Sequence, residues 1–507
     1  MTLAENPATV SATTRALWAA PLAAFVFVAV LALAAIAVRN GWVADDALRL
    51  WEGASTAARG GVPFGRIVAA YPTLPFLTTT FVAWLAPASA PVPSLVAAAL
   101  FAIIAAFSFL SLRKAGFRAA LAGIMALFLA FHPAFLRALI AGPEDMFLAA
   151  FLLIFCLSLY DLRARSGASE VMHVGLALMA LAFSHPMGAA FAFAAMPFLA
   201  FAVRPVLVAK SGLNVVIALL FPMLFAIGAF VYVAWIFPGD GWTFFAAPAA
   251  SLSLWTVAIS NIFGGGFSRI PAIDASLAMG AAIAVGAPAA PVMLALAYRR
   301  RPLVTPAAVF VAAAIAATAI SVSSGLFGAP TAIVVAAPVL AAAVMLRVPI
   351  ARQRPNLAVG LVIAGWLGGF VSLAIVDPTT VNRLYAADGS GRDGERLDAL
   401  AAGGATIGRD GVLADVDNAP AFVLGRGDTR GILGPQSESF ALAMLFRRID
   451  SDVVAVPDPQ STTGANDRID TAFPLLFQYG LPGYRVVYQN NTWRIFVRGK
   501  GNPQSGN

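Results

Sequence analysis

Apolar runs of Ala, Leu, Val, Ile and Phe, separated by short polar or basic segments, fill the first three quarters of the chain. An α-helix needs roughly 18 to 20 apolar residues to cross a bilayer, and the runs predict spans at about 17–38, 94–112, 119–131, 146–160, 171–184, 187–203, 213–236, 275–297, 303–322, 331–346 and 357–376. The stretch 75–86 is apolar but short, so it reads as a re-entrant or interfacial helix rather than a crossing. After about Asp377 the pattern changes, with frequent charges and apolar runs of strand length. There, 421–424 and 452–456 predict short strands, 438–448 an amphipathic helix, and 485–498 a hairpin turning at Asn490 and Asn491. The Asn490, Asn491, Thr492 triplet also fits a glycosylation sequon, although a plain turn is the commoner use.

The fold class expected is an α-helical polytopic membrane protein of about 11 transmembrane helices, with a small C-terminal α/β extracytoplasmic domain. The domains expected are 1–376, membrane-embedded, and 377–507, water-facing. Composition agrees, because 60% of residues are hydrophobic and 11% charged, against about 25% charged in soluble domains. The first apolar run is too long for a signal-peptide core and reads as a retained span.

Charge adds orientation. Basic clusters at Arg113, Lys114 and Arg118, at Arg163 and Arg165, at Arg204 and Lys210, at Arg299, Arg300 and Arg301, and at Arg347, Arg352 and Arg354 close every second expected span. Positive charge is retained on the cytoplasmic side, which places the C-terminal part outside. The net charge of +8 is therefore topological: 20 basic and 10 acidic residues lie in 1–376, 13 and 15 beyond. No basic face interleaved with aromatics marks a nucleic-acid partner. The single cysteine, Cys156, lies within an apolar run, which excludes a disulfide framework.

Acidic residues are what remain to be explained, since a carboxylate beside apolar spans is costly unless solvated, paired or used. Five of the ten in 1–376 fall in two segments: Asp45, Asp46 and Glu52, then Glu144 and Asp145. Both segments belong to expected outer loops. The first loop, 39–74, also carries Trp42, Arg49, Trp51, Arg59, Arg66 and Tyr71; the second, 132–145, carries His132 and Arg137. A third, 237–271, holds Asp240, Trp242, Trp255, the Gly264, Gly265, Gly266 run and Arg269.

The residues Val43, Ala44, Asp45, Asp46, Ala47, Leu48 and Arg49, a Gly60, Gly61 break, and Tyr71, Pro72, Thr73, Leu74, Pro75 resemble the start of the GT-C superfamily of membrane glycosyltransferases, near the protein O-mannosyltransferases and aminoarabinose transferases. Glu144 and Asp145, at the head of a later span, resemble that family's second acidic position. Two positions depart from the pattern: Asp46 stands where the family has Glu, and Thr73 where it has a second Pro. The resemblance implies a polyprenyl-phosphate sugar donor, an acceptor hydroxyl on a glycan, lipid or protein, and Asp45 as the acid to which the catalytic role transfers most directly.

The chemistry suits these residue types. A carboxylate within hydrogen-bond reach takes the acceptor's proton, which makes Asp45, Asp46, Glu144 and Asp145 the candidate bases. Guanidinium groups bind phosphate oxygens through paired N–H groups, so Arg49, Arg59, Arg66, Arg137 and Arg269 are the candidates for the leaving phosphate. Tyr71 and His132 complete the set. No residue set is assigned to a metal; a divalent cation on His132 and His185 with nearby carboxylates stays open, and no other cofactor is defined. Plain readings stand beside these: Asp45 and Arg49 as an ion pair on one helix, Glu144 and Asp145 as an acidic helix start. A lipid-linked saccharide transporter or a non-catalytic assembly factor is the alternative function.

Overall fold

The structure is a computed structural model of the chain and describes residues 12–40, 42–60, 62, 64–165, 167–237, 244, 270–297, 301–377 and 392–499. It is mostly helical. Among the described residues, seven helices are long and apolar enough to cross a membrane, and up to nine if each of two bent pairs is counted as one span. The helices Ala168–Ser184 and Pro186–Ala202 cover two expected spans but have only 17 residues each, so a count of eleven exceeds what length and composition support. The stretch expected to be interfacial forms the helix Thr73–Leu85, of 13 residues. The chain divides into two compact units, one of Met1–Ala34, Tyr71–Pro75 and Ala97–Arg383, the other of Ala35–Ala70, Phe76–Val96 and Leu384–Asn507. The second unit thus takes residues from both sides of the 376/377 boundary expected from composition.

In the first unit, proline sets where helices begin. Pro133, Pro186, Pro205, Pro271, Pro349 and Pro355 each open one, at the position where a missing N–H costs nothing and a fixed φ helps. The same chemistry bends two helix pairs. Ala119–Ala130 and Pro133–Ala141 meet at 47°, with His132 driven to ψ 136° by the proline after it. Pro271–Gly286 and Ala289–Leu296 meet at 75° around Ala287 and Pro288.

Helix Pro355–Val376 packs on this second break through glycine. A methyl group on Gly368 would sit 2.1 Å from the Val285 carbonyl oxygen, and one on Gly365 2.9 Å from that of Gly286. Close backbone approach of this kind is how helices associate where lipid removes the hydrophobic drive.

The second unit contains a five-stranded sheet in the order β2-β1-β3-β5-β4. The strands are β1 (Val412–Leu413), β2 (Ile432–Leu433), β3 (Val453–Pro457), β4 (Tyr484–Gln489) and β5 (Trp493–Arg498). β1 runs parallel to β2 and β3, while β5 is antiparallel to β3 and β4, with Val454 opposite Phe496. Leu413, Val454, Val456, Phe496, Phe440, Ile469 and Leu476 form the core of this face.

The expected strand at 452–456 and the hairpin are present; the hairpin turns at Asn490, whose side-chain oxygen accepts from Trp493 N at 2.7 Å. The Asn490 side chain also donates to the Asp398 carbonyl at 2.9 Å, so the sequon is used here as a turn. The expected helix at 438–448 appears as Glu438–Phe446, capped by Ser437. The expected strand at 421–424 is instead part of the helix Ala421–Arg426, ended by Gly427 in the left-handed region at φ 66°. Four apolar residues do not distinguish a strand from one helical turn, and here Phe422 stacks on Trp493 at 5.4 Å.

Candidate functional site

In the first unit, Arg137 is the centre of a buried charged cluster. Its Nε donates to Asp377 Oδ2 at 2.9 Å, one terminal nitrogen to Asp145, and the other to Thr331 Oγ1 at 2.9 Å. Asp145 and Asp377 are 5% and 4% exposed at the side chain. Asp145 also contacts His185, 3.1 Å from Oδ1 to Nε2. His185 Nδ1 accepts from Met187 N at 2.9 Å, which leaves Nε2 to carry the proton and donate to Asp145. Each member of the cluster comes from a different element: the second half of a bent span, the first turn of Pro143–Arg165, the helix cap at 185, the 3₁₀ turn Pro330–Val335 and the end of the last apolar helix.

His132 behaves like His185. It also precedes a proline and caps a helix, its Nδ1 accepting from Ala134 N at 3.2 Å. Its Nε2 lies 3.1 Å from both the Gly286 and Gly365 carbonyl oxygens, so its proton is directed at the buried end of helix Pro271–Gly286 and at helix Pro355–Val376. Both imidazoles therefore direct their lone pair at a backbone N–H rather than at a possible metal ion. Among the described residues no group of three or more His, Cys, Asp or Glu is placed to hold a metal.

Tyr71 is half-buried, packed against Phe244 and Phe230 with ring centroids 4.7 and 5.9 Å away, and its hydroxyl donates to the Ala182 carbonyl at 3.0 Å. Burial, helped by the negative charge of Glu144, holds the Tyr71 hydroxyl well above its ordinary pKa, so it remains a donor. Glu144 is half-buried in the first turn of the same helix as Asp145.

Apart from Tyr71, the first-loop candidates belong to the second unit, where they contact the C-terminal segment or one another. Helix Asp45–Ala58 opens on the acidic pair. Asp45 pairs with Arg396, which also donates to the Val43 carbonyl. Asp46, 69% exposed, pairs with Arg49 of its own helix at 2.8 Å. Arg49 Nε donates to the Asp417 carbonyl at 2.7 Å, Arg59 to Thr429 Oγ1 at 3.1 Å, and Arg66 to the Pro435 carbonyl at 2.7 Å. Arg269 and the Gly264 to Gly266 run lie outside the described residues.

Three participants were given no role by the sequence. Asp377 marks a change of composition and turns out to hold Arg137. Arg396 stands 351 residues from Asp45 in the chain. Glu52, noted only as one acid in a loop, is 1% exposed. Its carboxyl accepts from Thr56 Oγ1 at 3.0 Å. Burial, reinforced by the charge of Asp417 against the opposing effects of Thr56 and Arg59, pushes it up to about 7.

The geometry so far separates two kinds of site: a saturated ionic cluster with no free proton acceptor on its histidine, and an exposed acidic helix start backed by arginines. Compared with models of known protein families and with curated proteins, the chain matches none.

Proposed function

We propose that the chain is a membrane glycosyltransferase of the GT-C type, which transfers a sugar from a polyprenyl-phosphate donor to an acceptor hydroxyl. The reaction takes place at the outer face of a prokaryotic inner membrane, with eleven spans and the C-terminal domain extracytoplasmic. One observation carries the reading: Asp45 and Asp46 open a helix directly after the first apolar helix, and Asp46 keeps its carboxylate largely in solvent. Ion pairs as exposed as that of Asp46 with Arg49 are worth roughly 0 to 1 kcal/mol, so the carboxylate exchanges its partner easily for a substrate hydroxyl. In the reaction, the acceptor oxygen bonds to the anomeric carbon as its proton passes to the carboxylate. The bond from that carbon to the phosphate oxygen breaks, and polyprenyl phosphate leaves with inversion of the centre.

Arg49, Arg59 and Arg66, on or just after the same helix, are the cations assigned to the leaving phosphate. Arg137 is given a different task. Bound to Asp145, Asp377 and Thr331, it balances buried charge, and Asp145 with Glu144 supports the span head rather than acting as the base.

The test is transfer of radiolabelled sugar from a panel of polyprenyl-phosphate sugars by the purified protein in lipid. Activity on one donor should fall by roughly 10²- to 10⁴-fold in whichever of Asp45→Asn and Asp46→Asn removes the base. Full transfer by both folded variants would reject the assignment. Failure to turn over any donor would shift the reading to a lipid-linked saccharide transporter or an assembly factor.

A further inference from the structure

In open α/β sheets, ligands bind outside the carboxyl ends of parallel strands, where the connecting segments diverge. In the second unit that edge is occupied by the chain itself. The segments leaving β1 and β2 bring Val416, Asp417, Gly434 and Pro435 to one place, and helix Asp45–Ala58 is held against them. Arg49 donates to the Asp417 carbonyl at 2.7 Å and Arg66 to that of Pro435 at 2.7 Å. Between these clamps lies Glu52. Gly434 leaves room for its carboxyl and for Val416: a methyl group there would lie 2.8 Å from Glu52 Oε1 and 2.9 Å from Val416 Cγ2. Gly53, the next residue, faces Gln436 in the same segment, and a methyl group on it would lie 3.7 Å from the Gln436 Cγ.

We propose that Glu52 is a positioning residue: its carboxyl, seated against Gly434 and Val416 at the strand ends, sets how the C-terminal sheet holds the helix that begins with Asp45 and Asp46. A carboxyl buried this completely is costly as an anion. The groups facing it are Thr56 and Arg59 from its own side and Asp417 from the segment after β1, and Asp417 opposes ionisation. The seat therefore takes the protonated acid. The sign follows from linkage: the docked helix binds a proton that the released helix gives up, because the carboxyl titrates at about 7 when docked and at its ordinary 4.5 when free. Docking is strongest below 4.5 and weakens as pH rises to about 7, by on the order of 50-fold between pH 5 and pH 8. That Glu52 positions a catalytic base rests on the transfer reading above; that it holds the helix does not.

Amide hydrogen exchange over 45–58, in the full-length protein in lipid nanodiscs and corrected for intrinsic rates, tests this. Wild type should lose on the order of 50-fold in protection from pH 5 to pH 8, and Glu52→Gln, with the same shape and no charge, should stay protected with a flat profile. Gly434→Ala should lower protection at both values. A flat wild-type profile, or a Glu52→Gln profile as steep as wild type, would overturn the inference. Measured beside it, sugar transfer should fall over the same pH range in wild type and be rescued at pH 8 by Glu52→Gln. The expected exchange pattern with no transfer on any donor would sink the enzymatic reading and leave the seat of Glu52 standing.

Discussion

Asp145 in the first unit and Asp46 in the second stand in the first turns of their helices, yet their surroundings are opposite. Asp145 is buried between a guanidinium and an imidazole, inside a cluster drawn from five elements. Asp46 lies in solvent beside an arginine three residues on. The same residue type in the first turn of a helix therefore serves two ends. In the buried cluster each charge is balanced by its neighbours, so removing one unbalances the rest. At the exposed helix start, a partner can be exchanged at little cost. A site that must bind and release substrate is better built from the second kind.

Removing Arg137 should have the largest effect. Arg137→Met removes the guanidinium that the buried Asp145 and Asp377 share, a change that costs roughly 3 to 5 kcal/mol, read as a fall in thermal midpoint in nanodiscs. Gly434→Ala comes next, at roughly 1 to 3 kcal/mol for overpacking the Glu52 seat, measured as faster limited proteolysis of the second unit at pH 6.

The third prediction concerns Asp467, which burial first, and the Asp415 and Asp470 charges after it, push up to about 7 against opposing bonds from Ile469 N and Asp470 N. Its folded value lies above the ordinary 3.8, so its contribution is complete at low pH and lost as pH rises through about 7. Asp467→Asn keeps the helix cap and should stabilise the second unit at pH 8 by on the order of 2 kcal/mol, with no gain at pH 4. Asp46→Ala should change stability least, by roughly 0 to 1 kcal/mol. If Asp46→Ala unfolds the protein as readily as Arg137→Met, the contrast between the two regions is gone.

Much of the helical order could be read in advance, because apolar runs of span length have few alternatives and proline marks their starts. The two-residue strands β1 and β2 could not, since Val412 and Leu413 carry no period of their own and become a strand only through Ile432 and Val453 beside them. The candidate acids were visible as rare charges in an apolar chain. Their partners were not: Asp377 reaches Arg137 across 240 positions, and nothing local to Asp377 announces it. Glu52 illustrates the same limit, because the space that admits its carboxyl is created by Gly434, a residue whose local pattern reads only as a turn.

The glycines of helix Pro355–Val376 bear on how mutational data for this protein will look. Gly365, Gly368 and Gly369 each leave a methyl group within 3 Å of a neighbouring atom, in the last case within 2.7 Å of His132 Cε1. A scan of all substitutions would show these three positions as a line of near-total intolerance inside an apolar helix, as sharp as any catalytic residue produces. Intolerance there records fit alone. Alanine at Gly365 should be rejected as firmly as aspartate, whereas a position used for chemistry accepts or refuses a change according to its charge.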